Sequence, residues 1–163
     1  MTVAILEGAQ TAPGRRFAIV VSRFNDFVTE RLLAGAEQAL AAAGVAVHDV
    51  TVIRVPGAFE IPMAAQHAAD TGRFAGIVCL GCLIRGATPH FEYISSSVAH
   101  GLQTVAAATG VPLSFGVLTT NSAEEALERA VPGTSNKGWE AAMAAVEMAT
   151  LFSRLDDEGS ARP

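Results

Sequence analysis

The sequence predicts a three-layer α/β/α sandwich built on a four-stranded parallel sheet. Three observations carry that prediction. Short apolar, β-branched runs alternate with longer segments of helical spacing, in the order β-α-β-α-β-α-β-α-α. The breaks between them fall mostly on Gly, Pro and Asn, residues that end helices and turn strands. No internal repeat or linker divides the pattern, and 163 residues can bury a core without disulfides or metals. Such alternation implies parallel strands joined by right-handed crossovers, with helices on both faces.

Residues 1–16 show no clear periodicity and form an N-terminal arm, in which Ala12-Pro13-Gly14 marks a turn. Residues 17–155 form the single domain. Its first buried strand is the compact run 17–21, closed by the loop Ser22-Arg23-Phe24-Asn25. Asn25 can cap a helix over 26–43, which Gly44 stops. Residues 47–55 alternate as a second strand, broken by Pro56-Gly57, and a helix over 61–71 opens near Pro62 and ends at Gly72. Gly76–Ile84 is the third strand. Thr88 is a good N-cap and Pro89 suits a first helical position, so a helix is expected over 89–109, closed by Gly110. Residues 112–118 make the fourth strand. Ser122-Ala123-Glu124-Glu125 is a capping box opening a short helix that reaches Arg129 or Ala130. After Val131-Pro132-Gly133, a last helix is expected over 136–155, and 156–163 reads as a frayed tail. This is the doubly wound, flavodoxin-like arrangement, in which ligands bind at the carboxyl ends of the strands.

Composition narrows the function. Sixteen acidic residues against 11 basic ones, with no basic patch, argue against a nucleic-acid binder. The first residues lack the charged and apolar regions of a signal peptide. The longest apolar run is too short to cross a bilayer, so a cytoplasmic, membrane-free protein is expected. At 50% hydrophobic and only 17% charged, the chain is unusually apolar for its size, which favours an oligomer. Cys79 and Cys82 form a C-x-x-C, but three residues apart on a strand they point to opposite faces and cannot share a metal. They are expected to be packing cysteines in a reducing compartment.

Chemistry gathers at the strand ends. His90 stands in the first turn of a helix, where unpaired N–H groups attract anions, phosphate above all. Phe24 and Phe59 can stack on a planar heterocycle, and Glu60 can accept hydrogen bonds from sugar-like hydroxyls. Arg129 and Lys137 could each reach an anion. Each residue also has an ordinary role: the rings could cover the core, Glu60 could cap, Arg129 could answer the helix dipole, and His90 could be structural. Neither G-x-G-x-x-G nor G-x-x-x-x-G-K-[ST] occurs. The residues by themselves thus indicate an α/β domain for a small phosphorylated or polyhydroxylated planar ligand.

The wording of the loops goes further. Val21-Ser22-Arg23-Phe24-Asn25, Val55-Pro56-Gly57-Ala58-Phe59-Glu60-Ile61-Pro62 and Leu80-Gly81-Cys82-Leu83-Ile84-Arg85-Gly86-Ala87-Thr88-Pro89-His90-Phe91-Glu92-Tyr93 together resemble the lumazine synthase family. So do Phe115-Gly116-Val117-Leu118-Thr119 and Glu128-Arg129 followed by Asn136-Lys137-Gly138, in order along the chain. The resemblance implies condensation of 5-amino-6-(D-ribitylamino)uracil with 3,4-dihydroxy-2-butanone 4-phosphate to 6,7-dimethyl-8-ribityllumazine, phosphate and water. This is the penultimate step of riboflavin biosynthesis, a transferase reaction needing no cofactor or metal.

Carried over residue by residue, Phe24 would stack on the pyrimidine, and Ala58, Phe59 and Glu60 would hold the ribityl chain. Backbone groups of Cys82, Leu83 and Ile84 would meet the pyrimidine edge, and Ala87, Thr88 and Arg129 would bind the phosphate. His90 would transfer protons, Phe115 would enter from a neighbouring subunit, and Lys137 and Glu128 would support the site. The resemblance further implies a homopentamer, which in some members closes into a sixty-subunit shell, with product hand-over to riboflavin synthase. Two departures stand out. Ala130-Val131-Pro132-Gly133-Thr134-Ser135 replaces a commoner Gly-Thr-Lys-Ala-Gly run and so lacks its lysine, and Cys82 stands where a small polar residue is common. An archaeal-type riboflavin synthase shares the fold but matches Phe59-Glu60 and the 85–90 loop less well. A shell-forming relative without catalysis would not require His90, Arg129, Phe24 and Glu60 together.

Overall fold

A computed structural model describes residues 1–160. Four strands, β1 (Phe17–Ser22), β2 (Val50–Val55), β3 (Gly76–Ile84) and β4 (Leu113–Thr120), form one sheet in the order β2-β1-β3-β4, and every pairing is parallel. Helices α1 (Asp26–Ala42), α4 (Ala123–Glu128) and α5 (Lys137–Ser160) cover one face, and α2 (Ile61–Asp70) and α3 (His90–Thr109) cover the other.

The alternation of side chains along a strand explains why β1 and β3 are apolar at every position. Phe17, Ile19 and Val21 enter the core under α1 and α5, while Ala18 and Val20 enter the one under α2 and α3. Val78, Leu80 and Cys82 face the first core, and Ile77 and Cys79 the second. The two cysteines therefore lie on opposite faces, both buried, as their spacing requires.

Several boundaries differ from the sequence reading, each for a local reason. Residues 47–49 form a 3-10 turn and β2 starts at Val50, opposite the first residue of β1. No partner strand extends far enough to pair the earlier residues. β4 runs on to Thr120 because β3 continues beside it as far as Ile84. Residues 156–160 continue α5 instead of fraying, since no breaker precedes Gly159; residues 161–163 of the expected tail lie outside the described residues. Thr88 does not cap α3: the helix begins at His90, Pro89 holds the cap position, and no side chain caps the first turn. Asn25 does not cap α1 with its side chain either. It takes a left-handed backbone (φ 60°), which Asn tolerates better than most residues, and its side-chain amide donates to the Cys82 carbonyl at 2.9 Å. The α4 capping box is half reciprocal. Ser122 accepts from the Glu125 N–H at 3.1 Å, but the Glu125 carboxylate accepts from Asn121 rather than from Ser122.

Residues 1–16 contain neither helix nor strand and cross α5. The Ala9 N–H donates to Thr150 Oγ1 at 2.7 Å, and the Arg154 guanidinium donates to the Glu7 carbonyl at 2.6 Å.

Candidate active site

The chain runs from β1 outward to β2 and then returns past β1 to β3, so its direction along the sheet reverses between β1 and β3. Loops leaving the carboxyl ends of such neighbours part company and leave a crevice. A cavity of about 640 Å³ occupies that position.

Three loops build it. After β1, the ladder to β2 continues past the strands: the Arg23 N–H donates to the Val55 carbonyl at 2.8 Å and the Phe24 N–H to the Pro56 carbonyl at 3.0 Å. Phe24 is thereby fixed beside the second loop, where Gly57, Ala58, Phe59 and Glu60 line the cavity. Glu60 caps the turn it belongs to, accepting from the Gly57 N–H at 3.0 Å, which anchors its carboxylate on the wall. Phe24 and Phe59 are 68% and 58% exposed, too open to be core covers. The third loop follows β3. Leu83, Ile84, Gly86 and Thr88 line the cavity, and His90 reaches it from the first turn of α3.

Arg85 ties this third loop down. Its backbone N–H donates to the Thr120 carbonyl at 2.8 Å, its Nε to Asn121 Oδ1 at 3.0 Å, and its guanidinium pairs with Glu92 and lies 4.5 Å from the centre of the Phe91 ring. The Glu92 carboxyl sits below its ordinary range, held first by its own backbone N–H and then by Arg85, despite partial opposition from desolvation.

The structure brings together Phe24, Ala58, Phe59, Glu60, Leu83, Ile84, Thr88 and His90, but not every expected residue. Ala87 is exposed in the loop between two lining residues. Cys82 does not line the cavity: its side chain lies in the α1–α5 core, and its carbonyl already accepts from Asn25. Burial pushes its thiol up to about 11, and that of Cys79 up to about 12, so neither is a ready nucleophile. Phe115, Arg129 and Lys137 line a second cavity of about 660 Å³, between β4 and α5. There the Arg129 guanidinium donates to the Glu125 carbonyl at 2.9 Å, and Lys137 pairs with Glu140 at 2.7 Å. Glu128 is exposed and lines neither cavity.

Sequence reasoning missed Phe91 and Ile94 as cavity residues; their spacing from each other and from His90 puts all three on neighbouring positions of α3 and was the available signal. Asn25, Pro56 and Gly86 also line the cavity and were legible only as turn residues. Among the described residues no group of His, Cys, Asp or Glu could hold a metal, and no helix is long and apolar enough to cross a membrane.

The family model for 6,7-dimethyl-8-ribityllumazine synthase matches residues 14–153, a span that includes every loop of both cavities. The chain is 51% identical over 151 residues to the 6,7-dimethyl-8-ribityllumazine synthase of Syntrophus aciditrophicus (strain SB), covering 93% of this chain and 98% of the relative. It is 47% identical to the protein of the same name from Desulfatibacillum aliphaticivorans, over 93% of this chain and 97% of that relative. The match takes in all four strands and every strand-end loop, and the chain belongs to the 6,7-dimethyl-8-ribityllumazine synthase family.

Proposed function

We propose that the reaction takes place in a cleft completed by two copies of the chain, the switch-point cavity of one and the Phe115, Arg129 and Lys137 face of the next. As a member of its family the chain is a transferase. It condenses 5-amino-6-(D-ribitylamino)uracil with 3,4-dihydroxy-2-butanone 4-phosphate to give 6,7-dimethyl-8-ribityllumazine, phosphate and water, the penultimate step of riboflavin biosynthesis.

The observation that carries the shared cleft is the division of the chain's own groups. Among the described residues, the cavity holding His90, Phe59 and Glu60 is lined by no Arg or Lys, whereas Arg129 and Lys137 line a separate cavity beside Phe115. A cation beside helix N–H groups stabilises a departing phosphate more than the N–H groups alone. Phe115 is 52% exposed on that second face, which suits a ring presented to a partner.

In this cleft Phe24 stacks on the pyrimidine, and Ala58, Phe59 and Glu60 hold the ribityl chain. Leu83 and Ile84 offer backbone to the heterocycle edge. Ala87 and Thr88 take the phosphate together with Arg129 from the next copy, and Lys137 adds charge. The substrate amine adds to the ketone and loses one water, phosphate departs by elimination, and the ribityl-bearing amine closes the ring on the remaining carbonyl with loss of a second water. His90 carries protons between these steps, and positioning of two already reactive molecules supplies the larger share of the rate. A contact between two different surfaces is head-to-tail and builds a ring where its rotation closes. We take that ring to be a pentamer working in the cytoplasm and passing its product to a riboflavin synthase; light scattering distinguishes it from a sixty-subunit shell.

Co-expression of two impaired variants, assayed at limiting butanone phosphate, tests the shared cleft. His90→Ala alone is expected to lower turnover roughly ten- to a hundredfold, in keeping with general acid–base work, and Arg129→Ala to lower activity at limiting butanone phosphate. In rings drawn at random from equal amounts of both, about a quarter of the clefts regain both residues, so lumazine absorbance should form at about a quarter of the wild-type rate. A mixed assembly no faster than the mean of the two single variants would place both residues in one copy and sink the proposal.

A further inference from the structure

The motif Asn136-Lys137-Gly138 contains one residue that the reaction does not use directly and that the fold nevertheless treats with unusual care. Asn136 is 1% exposed, and its side-chain amide is fully engaged. Oδ1 accepts from the Gly138 N–H at 2.8 Å and from the Trp139 N–H at 3.3 Å, capping α5. Nδ2 donates to the Arg31 carbonyl of α1 at 3.2 Å and to the Val131 carbonyl at 3.1 Å. Its backbone N–H donates to the Gly133 carbonyl at 3.1 Å, and the next N–H, of Lys137, donates to the Arg129 carbonyl at 2.9 Å.

Room for this amide has been made on α1. A Cβ on Gly35 would stand 2.5 Å from Asn136 Cγ, so the glycine is what lets the side chain lie against the helix. Asn136 thus joins three pieces: α1, the first turn of α5, and the segment that begins at Arg129. That segment carries no cation between Arg129 and Lys137, and Lys137 is paired with Glu140. Among the described residues the Arg129 guanidinium is bound only to the Glu125 carbonyl and has no carboxylate partner. The place of its guanidinium therefore depends on how firmly the backbone just after it is held.

We propose that Asn136 is a positioning residue for Arg129: the bonds from its Nδ2 to Val131 and Arg31 set where the guanidinium stands, and so control affinity for the phosphorylated substrate. The inference rests on the reading of Arg129 as the phosphate ligand. The cap and the tether can be separated. Asn136→Ser keeps an oxygen suited to capping α5 but cannot span to Arg31 and Val131. Asn136→Asp keeps the acceptor in place and exchanges the donor for a carboxylate oxygen, which repels the Arg31 and Val131 carbonyls.

The test is steady-state kinetics of the assembled enzyme, varying each substrate in turn. In both variants KM for the butanone phosphate should rise about tenfold, as when one charge-assisted hydrogen bond is weakened, while KM for the pyrimidine stays within about twofold. In an Arg129→Ala background the same substitutions should change neither constant by more than about twofold, because the residue they position is gone. Equal rises in both KM values, no rise in either, or additive effects in the Arg129→Ala background overturn the role. So does loss of fold or assembly in both variants, which would make Asn136 a structural residue. If Arg129→Ala by itself leaves KM for the butanone phosphate unchanged, the phosphate-ligand reading fails; if Arg129→Ala raises it and the Asn136 variants do not, only the positioning role fails.

Discussion

Replacing Gly138 with alanine should force α1 and α5 apart. Gly138 is buried in the first turn of α5, and a Cβ there would stand 2.7 Å from the Leu32 carbonyl carbon and 2.9 Å from its Cα, with the carbonyl oxygen closer still. These are backbone atoms inside the 17-residue helix α1, so no side chain can swing aside to make room. Overpacking costs about 1–3 kcal/mol, and a backbone obstacle puts this case near the upper figure. Alanine returns about 1 kcal/mol of helix propensity over glycine, which leaves a net loss of about 2 kcal/mol. For a chain of this size that lowers Tm by about 4–8 °C. The assay is thermal unfolding by circular dichroism at one fixed protein concentration, because assembly makes Tm concentration-dependent. Gly159→Ala is the control: a Cβ there meets nothing within 4 Å, so the same substitution late in the same helix should be neutral or stabilising by up to about 1 kcal/mol. A Gly138→Ala protein melting at or above the wild type would refute the packing argument.

Two further predictions concern charge and thiols. The Arg54 guanidinium, hydrogen-bonded to Glu30, holds that carboxyl below its ordinary range. A lowered folded-state pKa stabilises fully above the unfolded value and is lost as pH falls through the folded one. Both side chains are about half exposed, so Glu30→Gln should cost less than about 1 kcal/mol near neutral pH, and urea titrations should show the difference vanishing as pH falls through the lowered range of the Glu30 carboxyl. A difference that grows on acidification would contradict the pairing. Cys79 and Cys82, buried and with thiols raised by desolvation, should resist maleimide in the native protein at about pH 8 and label only on unfolding; rapid native labelling would show that one of them is open to solvent.

Much of the site was legible because its residues announce themselves locally. Phe24, Ala58, Phe59, Glu60 and His90 follow strands directly, and loops at the carboxyl ends of parallel strands converge wherever the sheet reverses direction. The surroundings of Cys82 were not legible. Its position in the motif suggests a backbone group facing the ligand, and its carbonyl also accepts from Asn25, a partner 57 residues earlier that no local pattern reveals. The start of α3 was likewise read one residue early, because Thr88 and Pro89 match a cap by propensity while the chain enters the helix at His90.

By itself the sequence determined the alternation of strands and helices, the burial of β1 and β3 on both faces, and the residues that meet at the strand ends. Period and side-chain type are local properties, and they are enough for that. Only the tertiary structure decided that Phe115, Arg129 and Lys137 share a cavity separate from the one holding His90, and that Asn136 fastens the Arg129 segment to α1 through the gap at Gly35. Those arrangements depend on which helix covers which face of the sheet and on how closely two backbones approach, distances set by packing between residues about a hundred positions apart.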